Sequence, residues 1–430
     1  MSLKLTNAKM LLAASAATVL AACAGMGGMG GGGGSTAWPT KADVQPAPAF
    51  TAAGLASLDA RMKEAVDKGE VAGLEYVLIK DGKVAAFNTF GNQSIGGPPM
   101  SEDTIFRIRS MTKPITGVAM MQLYEKGLWK PEDPVTKFLP ELGALKVATK
   151  QDSITDGVVP ANRPPNMNEI MTHTAGFGYG LSAASAVDRE FQRDNPHGQP
   201  NLKAAMNRLK DIPLLFQPGE RWSYSYAVDV QAATIEKMSG KTFGEYLKAN
   251  VFTPLGMNHT GFFISDADYK AKMATVYTLN AAGQREVFPD GFSFTVPNHH
   301  ESGGGGLTST THDYARFVQM MLNGGELDGK RVLKPETVKL MMTNHIGDKR
   351  AMGGGGFGWG GAVKTTEAND RAPAPMGTWD WFGIDGTWFW VDPVNNVGFV
   401  GMIQRRGNAG QGAINLRGES QQLVYKALAK

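Results

Sequence analysis

Phe106 to Gly117 reads F-R-I-R-S-M-T-K-P-I-T-G. It sets Ser110 and Lys113 three residues apart at the head of an expected helix from about Thr112 to Lys126. At i and i+3 two side chains share one helix face, so an ammonium nitrogen can lie near the serine Oγ. Serine is a poor nucleophile until a neighbour takes its proton. Lysine can do this if burial or other cations depress its pKa. Arg107 and Arg109 flank the serine, but spacing does not say where they point. A helix start also leaves the Ser110 N–H free to hold an oxyanion. Pro114 falls in the first turn, where a missing N–H costs little. Alone, S-x-x-K also fits a surface helix capped by its serine.

Outward from this stretch, the chain alternates helical and strand periods. Leu55, Leu58, Met62 and Val66 mark a helix ending near Gly69. Leu74–Ile79 and Val84–Phe90 are strands joined by the turn Lys80-Asp81-Gly82. Residues 131–285 are mostly helical, with candidates at Asn166–Thr172, Leu202–Leu209, Ala227–Ser239 and Phe243–Val251. Val287–Val296 is strand or loop, Thr310–Leu322 and Pro335–Met342 are helices, and Thr387–Val391 and Val397–Gln404 are strands before a last helix at Gln421–Ala429. The pattern predicts one α/β domain completed by both chain ends, with a mostly helical insert.

The 430 residues are 42% hydrophobic, enough for a sizeable core. Formal charge is +3, of which Lys4 and Lys9 carry two, and the absence of a basic run gives no support for nucleic-acid binding. The single cysteine excludes an internal disulfide. It follows a basic n-region and the apolar run Met10–Ala22, in L-A-A-C, Leu20 to Cys23. This resembles a bacterial lipoprotein signal, which implies cleavage of residues 1–22, lipid on Cys23 and a membrane partner. Ala24, not Asp, after the cysteine leans towards the outer membrane, facing the periplasm. Residues 23–48, rich in Gly and Pro, are expected to be a flexible tether, and residues 49–430 the folded domain.

Two further stretches carry chemistry. Tyr224, in P-G-E-R-W-S-Y-S-Y-A-V-D from Pro218 to Asp229, stands between a turn and a helix, where its hydroxyl can relay protons. A core tyrosine satisfied locally fits the same position. Trp381-Phe382-Gly383 lies on a strand whose glycine lets backbone approach a ligand, and the N–H of Ile384 is a candidate second oxyanion donor. Asp380 and Asp385 read as turn residues, and His173 as structural. No H-E-x-x-H stands at His299-His300-Glu301 and no G-x-S-x-G occurs, which argues against a zinc peptidase and an α/β-hydrolase.

Together S-M-T-K at 110–113, Y-S-Y at 224–226 and W-F-G at 381–383 resemble the serine β-lactamase and penicillin-binding-protein superfamily, nearest its class C-like branch, the family VIII carboxylesterases. M-T-H-T-A-G-F at 171–177, L-G-M-N-H-T at 255–260 and the run from Gly303 to Phe317 fit as well, so the resemblance spans about residues 50–430. It implies an antiparallel sheet flanked by helices, acylation of Ser110, and Lys113 and Tyr224 as proton-transfer partners, with no cofactor or metal. It places Tyr226, Trp381 and Gly383 at substrate-binding positions. Tyr226 stands where β-lactamases have Asn and Trp381 where they have Lys, and a site without that cation favours neutral esters. Asp229 matches the esterase pattern Y-S-x-A-x-D.

The expected function is hydrolysis of small-molecule carboxylic esters, with no obligate protein partner. A β-lactamase or D-Ala-D-Ala carboxypeptidase, and a catalytically silent envelope binding protein, are the alternatives.

Overall fold

The computed structural model describes residues 38–289, 294–296, 300–407 and 414–429. The expected leader, lipidated Cys23 and most of the tether lie outside these residues. Helix α1 spans Ala52–Asp67 and is followed by the hairpin β1 (Gly73–Lys80) and β2 (Lys83–Gly91). Asp81 turns the hairpin at a φ of +51°, as a two-residue turn between twisted strands requires. Helix α2 is Thr112–Glu125. The insert contributes α3 (Met167–Thr172), α4 (Leu202–Leu209) and α5 (Ala227–Ser239). Helix α6 (Thr311–Leu322) precedes the short strands β3 (Gly356–Phe357) and β4 (Ala362–Val363). Then come β5 (Trp379–Phe382), β6 (Trp388–Asp392), β7 (Val397–Met402) and α7 (Leu416–Ala427).

The seven strands form one antiparallel sheet in the order β3-β4-β5-β6-β7-β1-β2. N-terminal β1 pairs with C-terminal β7, placing Val77 opposite Val400, so both chain ends complete the sheet. Side chains alternate across it. Leu74, Tyr76, Leu78, Trp390 and Phe399 face one apolar layer beneath α1 and α7, and Val77, Ile79, Phe389 and Val400 face the other, larger core. Covering both faces explains why these strands are apolar at consecutive positions, where a half-exposed antiparallel sheet would alternate.

All residues of helix α2 from Thr112 to Met121 are buried, so it runs through the large core between sheet and insert. That position puts its N-terminus, and Ser110 beside it, at the seam of the two parts. The folded body also begins earlier than residue 49. Trp38 packs against the core, and the Gln45 N–H donates to the Val84 carbonyl at 3.0 Å. The composition of residues 38–48 hid this, because backbone pairing to an edge strand needs no apolar period. Helix α7 starts five residues before the expected Gln421, with the Asn415 side chain accepting from the Gly418 N–H. An unexpected helix at Ala186–Arg193, capped by Ser185, lies in the insert.

Candidate active site

Ser110 stands in a single 3₁₀ turn, Arg109–Met111, that runs into α2. Arg109 has a φ of +46°, a left-handed conformation costly for a side chain with a Cβ. Three contacts hold the turn there. The Arg109 Nε donates to Asp385 Oδ2 at 2.5 Å, Thr387 Oγ1 donates to the Ile108 carbonyl at 3.2 Å, and the Tyr314 hydroxyl donates to the Met111 carbonyl at 2.9 Å. Gly383 completes the fit. A Cβ there would lie 2.5 Å from the Ile108 carbonyl oxygen, so only glycine lets the β5–β6 hairpin approach the serine's turn.

Two polar groups reach Ser110 Oγ. The Tyr224 hydroxyl donates to it at 2.7 Å, and Lys113 Nζ lies 3.2 Å away. The three residues expected to act together are thus brought together. Lys113 is 1% exposed. Its ammonium also donates to the Gly304 carbonyl at 2.6 Å and the Tyr179 hydroxyl at 3.1 Å, and sits against the faces of both tyrosine rings. Burial disfavours the charged form and lowers its pKa to about 7, against the pull of nearby Asp229. Of the two routes to a basic lysine, burial therefore operates. Arg107 turns away to the Ala274 carbonyl and Tyr269, and Arg109 to Asp385. Burial pushes the Tyr224 phenol above its ordinary range, against its hydrogen bond to Ser110.

Tyr179 was not singled out from the sequence. Its place between two glycines, G-Y-G at 178–180, is the signal that it sits where backbone crowds a site. Asp229, on the first turn of α5, is fully buried behind Lys113. Ser302 Oγ donates to its Oδ1 at 2.6 Å, and His197 Nε2 and His300 Nε2 stand 3.3 and 3.7 Å from its oxygens. Burial works to raise this carboxyl, but the two histidines outweigh it and hold it well below the usual carboxylate range. Gly304 separates it from the lysine: a Cβ there would be 2.6 Å from Asp229 Oδ2 and 3.5 Å from Lys113 Nζ. His173 is structural. Its Nδ1 accepts from the Ser225 N–H at 3.1 Å, and burial keeps the ring neutral.

Ser110 opens into a cavity of about 400 Å³ with mostly apolar walls, also lined by Tyr179, Tyr224, Trp381 and Ile384. The N–H groups of Ser110 and Ile384 donate to no carbonyl among the described residues, so both remain available to an oxyanion. Trp381 lies on β5 with its ring 5.4 Å from that of Tyr224. Two expected contacts fail. Tyr226 is fully buried between Phe191 and His197 and does not line the cavity, because the start of α5 turns it into the insert. Gly383 faces a neighbouring hollow, and its N–H is taken by the Thr387 carbonyl at 2.7 Å, so it shapes the serine's turn and does not line the cavity. Asp385 stands in the turn between β5 and β6, as expected, and is a buried carboxylate between Arg109 and Arg406. Arg109 and Arg406 are both lining residues of the cavity, so cationic residues stand at the site although Trp381 replaces lysine. Among the described residues no cluster of His, Cys, Asp or Glu is placed to hold a metal ion.

The family model described as Beta-lactamase matches residues 58–422. An uncharacterized protein of Mycobacterium tuberculosis is 36% identical over 359 residues, covering 80% of this chain and 88% of its own. Esterase EstB of Burkholderia gladioli is 30% identical over 366 residues, covering 79% and 88%. The solved structure of EstCE1, described as a hydrolase with promiscuous acyltransferase activity, superposes with a TM-score of 0.70 at 25% identity, covering 87% of this chain and 99% of that one.

Proposed function

Because the chain belongs to the beta-lactamase family and is a serine hydrolase of that fold, we propose that it cleaves carboxylic esters through an acyl-enzyme on Ser110. The observation that carries this reading is the convergence of Tyr224 at 2.7 Å and Lys113 at 3.2 Å on one serine Oγ at the wall of an apolar cavity. Neutral Lys113 takes the Ser110 proton as Oγ attacks the ester carbonyl. The N–H groups of Ser110 and Ile384 receive the oxyanion. Tyr224, kept as a phenol by burial, passes a proton to the departing alkoxide and is reprotonated from Lys113. Water then enters by the same route in reverse and releases the acid.

Esters are favoured over lactams by the esterase name of EstB, a relative over most of the chain. Purified protein should release p-nitrophenol from short acyl esters far faster than it opens nitrocefin. The reverse order would make it a β-lactamase. We further propose, from L-A-A-C at 20–23, that Cys23 carries lipid after loss of residues 1–22, which would anchor the enzyme to the outer membrane facing the periplasm. Metabolic labelling with a fatty-acid analogue, lost in Cys23→Ser, tests that.

A further inference from the structure

Asp229 is wholly buried, and its Oδ2 accepts no hydrogen bond among the described residues. His197 Nε2 faces that oxygen at 3.3 Å. The other ring nitrogen, Nδ1, lies 3.2 Å from Asn195 Oδ1, which also accepts from the His197 backbone N–H at 2.9 Å. That backbone contact fixes which end of the Asn195 amide faces the ring. Each nitrogen of His197 thus meets an oxygen that can only accept, and only the doubly protonated imidazolium answers both. His300 offers less. Its Nε2 is 3.7 Å from Asp229 Oδ1, which already accepts from Ser302, and its Nδ1 has no partner among the described residues. The His197 ring packs 4.6 Å from that of Tyr226 and 5.9 Å from that of Tyr179, and it lines the Ser110 cavity. A proton can therefore reach it from the cavity while the carboxylate stays dry.

A buried carboxylate needs a positive partner. Asp229 favours the charged form of Lys113, and a lysine held as ammonium accepts no proton from Ser110. The other groups facing the lysine carry no charge to offer: burial keeps Tyr179 and Tyr224 as phenols and His173 as a neutral ring. Arg109, which acts on Tyr179, is ion-paired with Asp385, and Glu236 interacts with His300. We propose that His197 is a positioning residue for Lys113: its imidazolium answers the charge of Asp229 and so leaves the lysine neutral to act as base. This goes beyond the ester-cleaving reading and rests on its choice of Lys113 as base.

The test is the pH profile of kcat/KM for a p-nitrophenyl ester. His197→Gln keeps a neutral donor near the place of Nε2 and removes the charge. Asp229 then pulls on the lysine unopposed, so the acid limb moves up by about one pH unit, the lower end of what a close opposite charge does. At pH 6 the variant should be about tenfold slower than the wild type, and at pH 9.5 nearly equal to it. His300→Gln should move the limb less, and His197→Lys should bring it back towards the wild type, with melting curves showing each variant folded. An unmoved limb, an equal loss at every pH, or a larger shift in His300→Gln overturns the inference. A second readout needs no variant: in protein labelled with ¹⁵N at histidine, one imidazole should be doubly protonated at pH 8, and finding none among the 7 histidines overturns the inference. Fluorophosphonate labelling of Ser110 over the same pH range separates the two claims. A labelling limb that moves in His197→Gln while no ester is hydrolysed would sustain the inference and overturn the ester reading. Ser110-dependent ester hydrolysis with an unmoved limb would do the reverse.

Discussion

Lys113 Nζ lies 3.2 Å from Ser110 Oγ while its side chain is closed off from solvent. Proximity and dryness work together here. The first lets the amine take the serine proton, and the second makes the amine neutral enough to do so. Asp229 behind the lysine opposes that effect, so its distance, set by the missing side chain of Gly304, tunes the base.

The first prediction concerns pH. With the Lys113 pKa lowered to about 7, the neutral, proton-accepting form grows as pH rises through that value. A plot of kcat/KM against pH should climb through an acid limb near 7 and then level. A limb near the ordinary carboxylate range would assign the base elsewhere.

Burying the same lysine should cost stability. Its folded pKa lies below its unfolded value of 10.5, so the unfolded chain binds more protons between about pH 7 and 10.5, and stability rises with pH across that window. The cost is complete below about 7 and fades towards 10.5. Lys113→Met should therefore abolish activity and stabilise the protein, on the order of 3–5 kcal/mol at pH 6 and less at pH 9. Denaturant melts at the two pH values check both sign and trend.

The two tyrosines should separate in their effects. Tyr224→Phe removes the hydroxyl that donates to Ser110 and should lower kcat by about 10²–10⁴-fold, the range of a lost proton relay. Tyr179→Phe removes an oxygen that accepts from the Lys113 ammonium. The charged form loses support, so the acid limb should move to lower pH with a smaller loss of rate. Equal losses and an unmoved limb would contradict the assignment.

Gly304→Ala places a methyl 2.6 Å from Asp229 Oδ2, so carboxylate, lysine or backbone must give way. Activity should fall by about 10²-fold, as a displacement near 1 Å can cause, while the melting temperature moves little. Full activity would show that the lysine site tolerates more room than its contacts imply.

The sequence made Ser110, Lys113 and Tyr224 legible because each sits beside a local signal: a helix start, a Pro-Gly turn, a shared face. Five of the sheet's seven strands were legible from their apolar runs and from the K-D-G turn, while the two-residue strands β3 and β4 are too short to leave a period. Tyr179, His197, His300 and Arg406 were not, because they reach the site from loops whose local patterns are polar and irregular. Tyr226 misled because the resemblance assigned it a ligand position, whereas a tyrosine at the start of α5 is large enough to pack into the insert. Asp385 looked like a turn residue in G-I-D-G, and only the approach of two distant arginines makes it a buried ion-pair centre.

The central claim is a covalent acyl group on Ser110, and mass spectrometry tests it most directly. The protein is mixed with a p-nitrophenyl ester, quenched in acid within one turnover, digested and sequenced by fragmentation. The account predicts an acyl-mass increment on the peptide containing Ser110, absent in Ser110→Ala. An increment on another residue, or ester turnover that persists in Ser110→Ala, would contradict it.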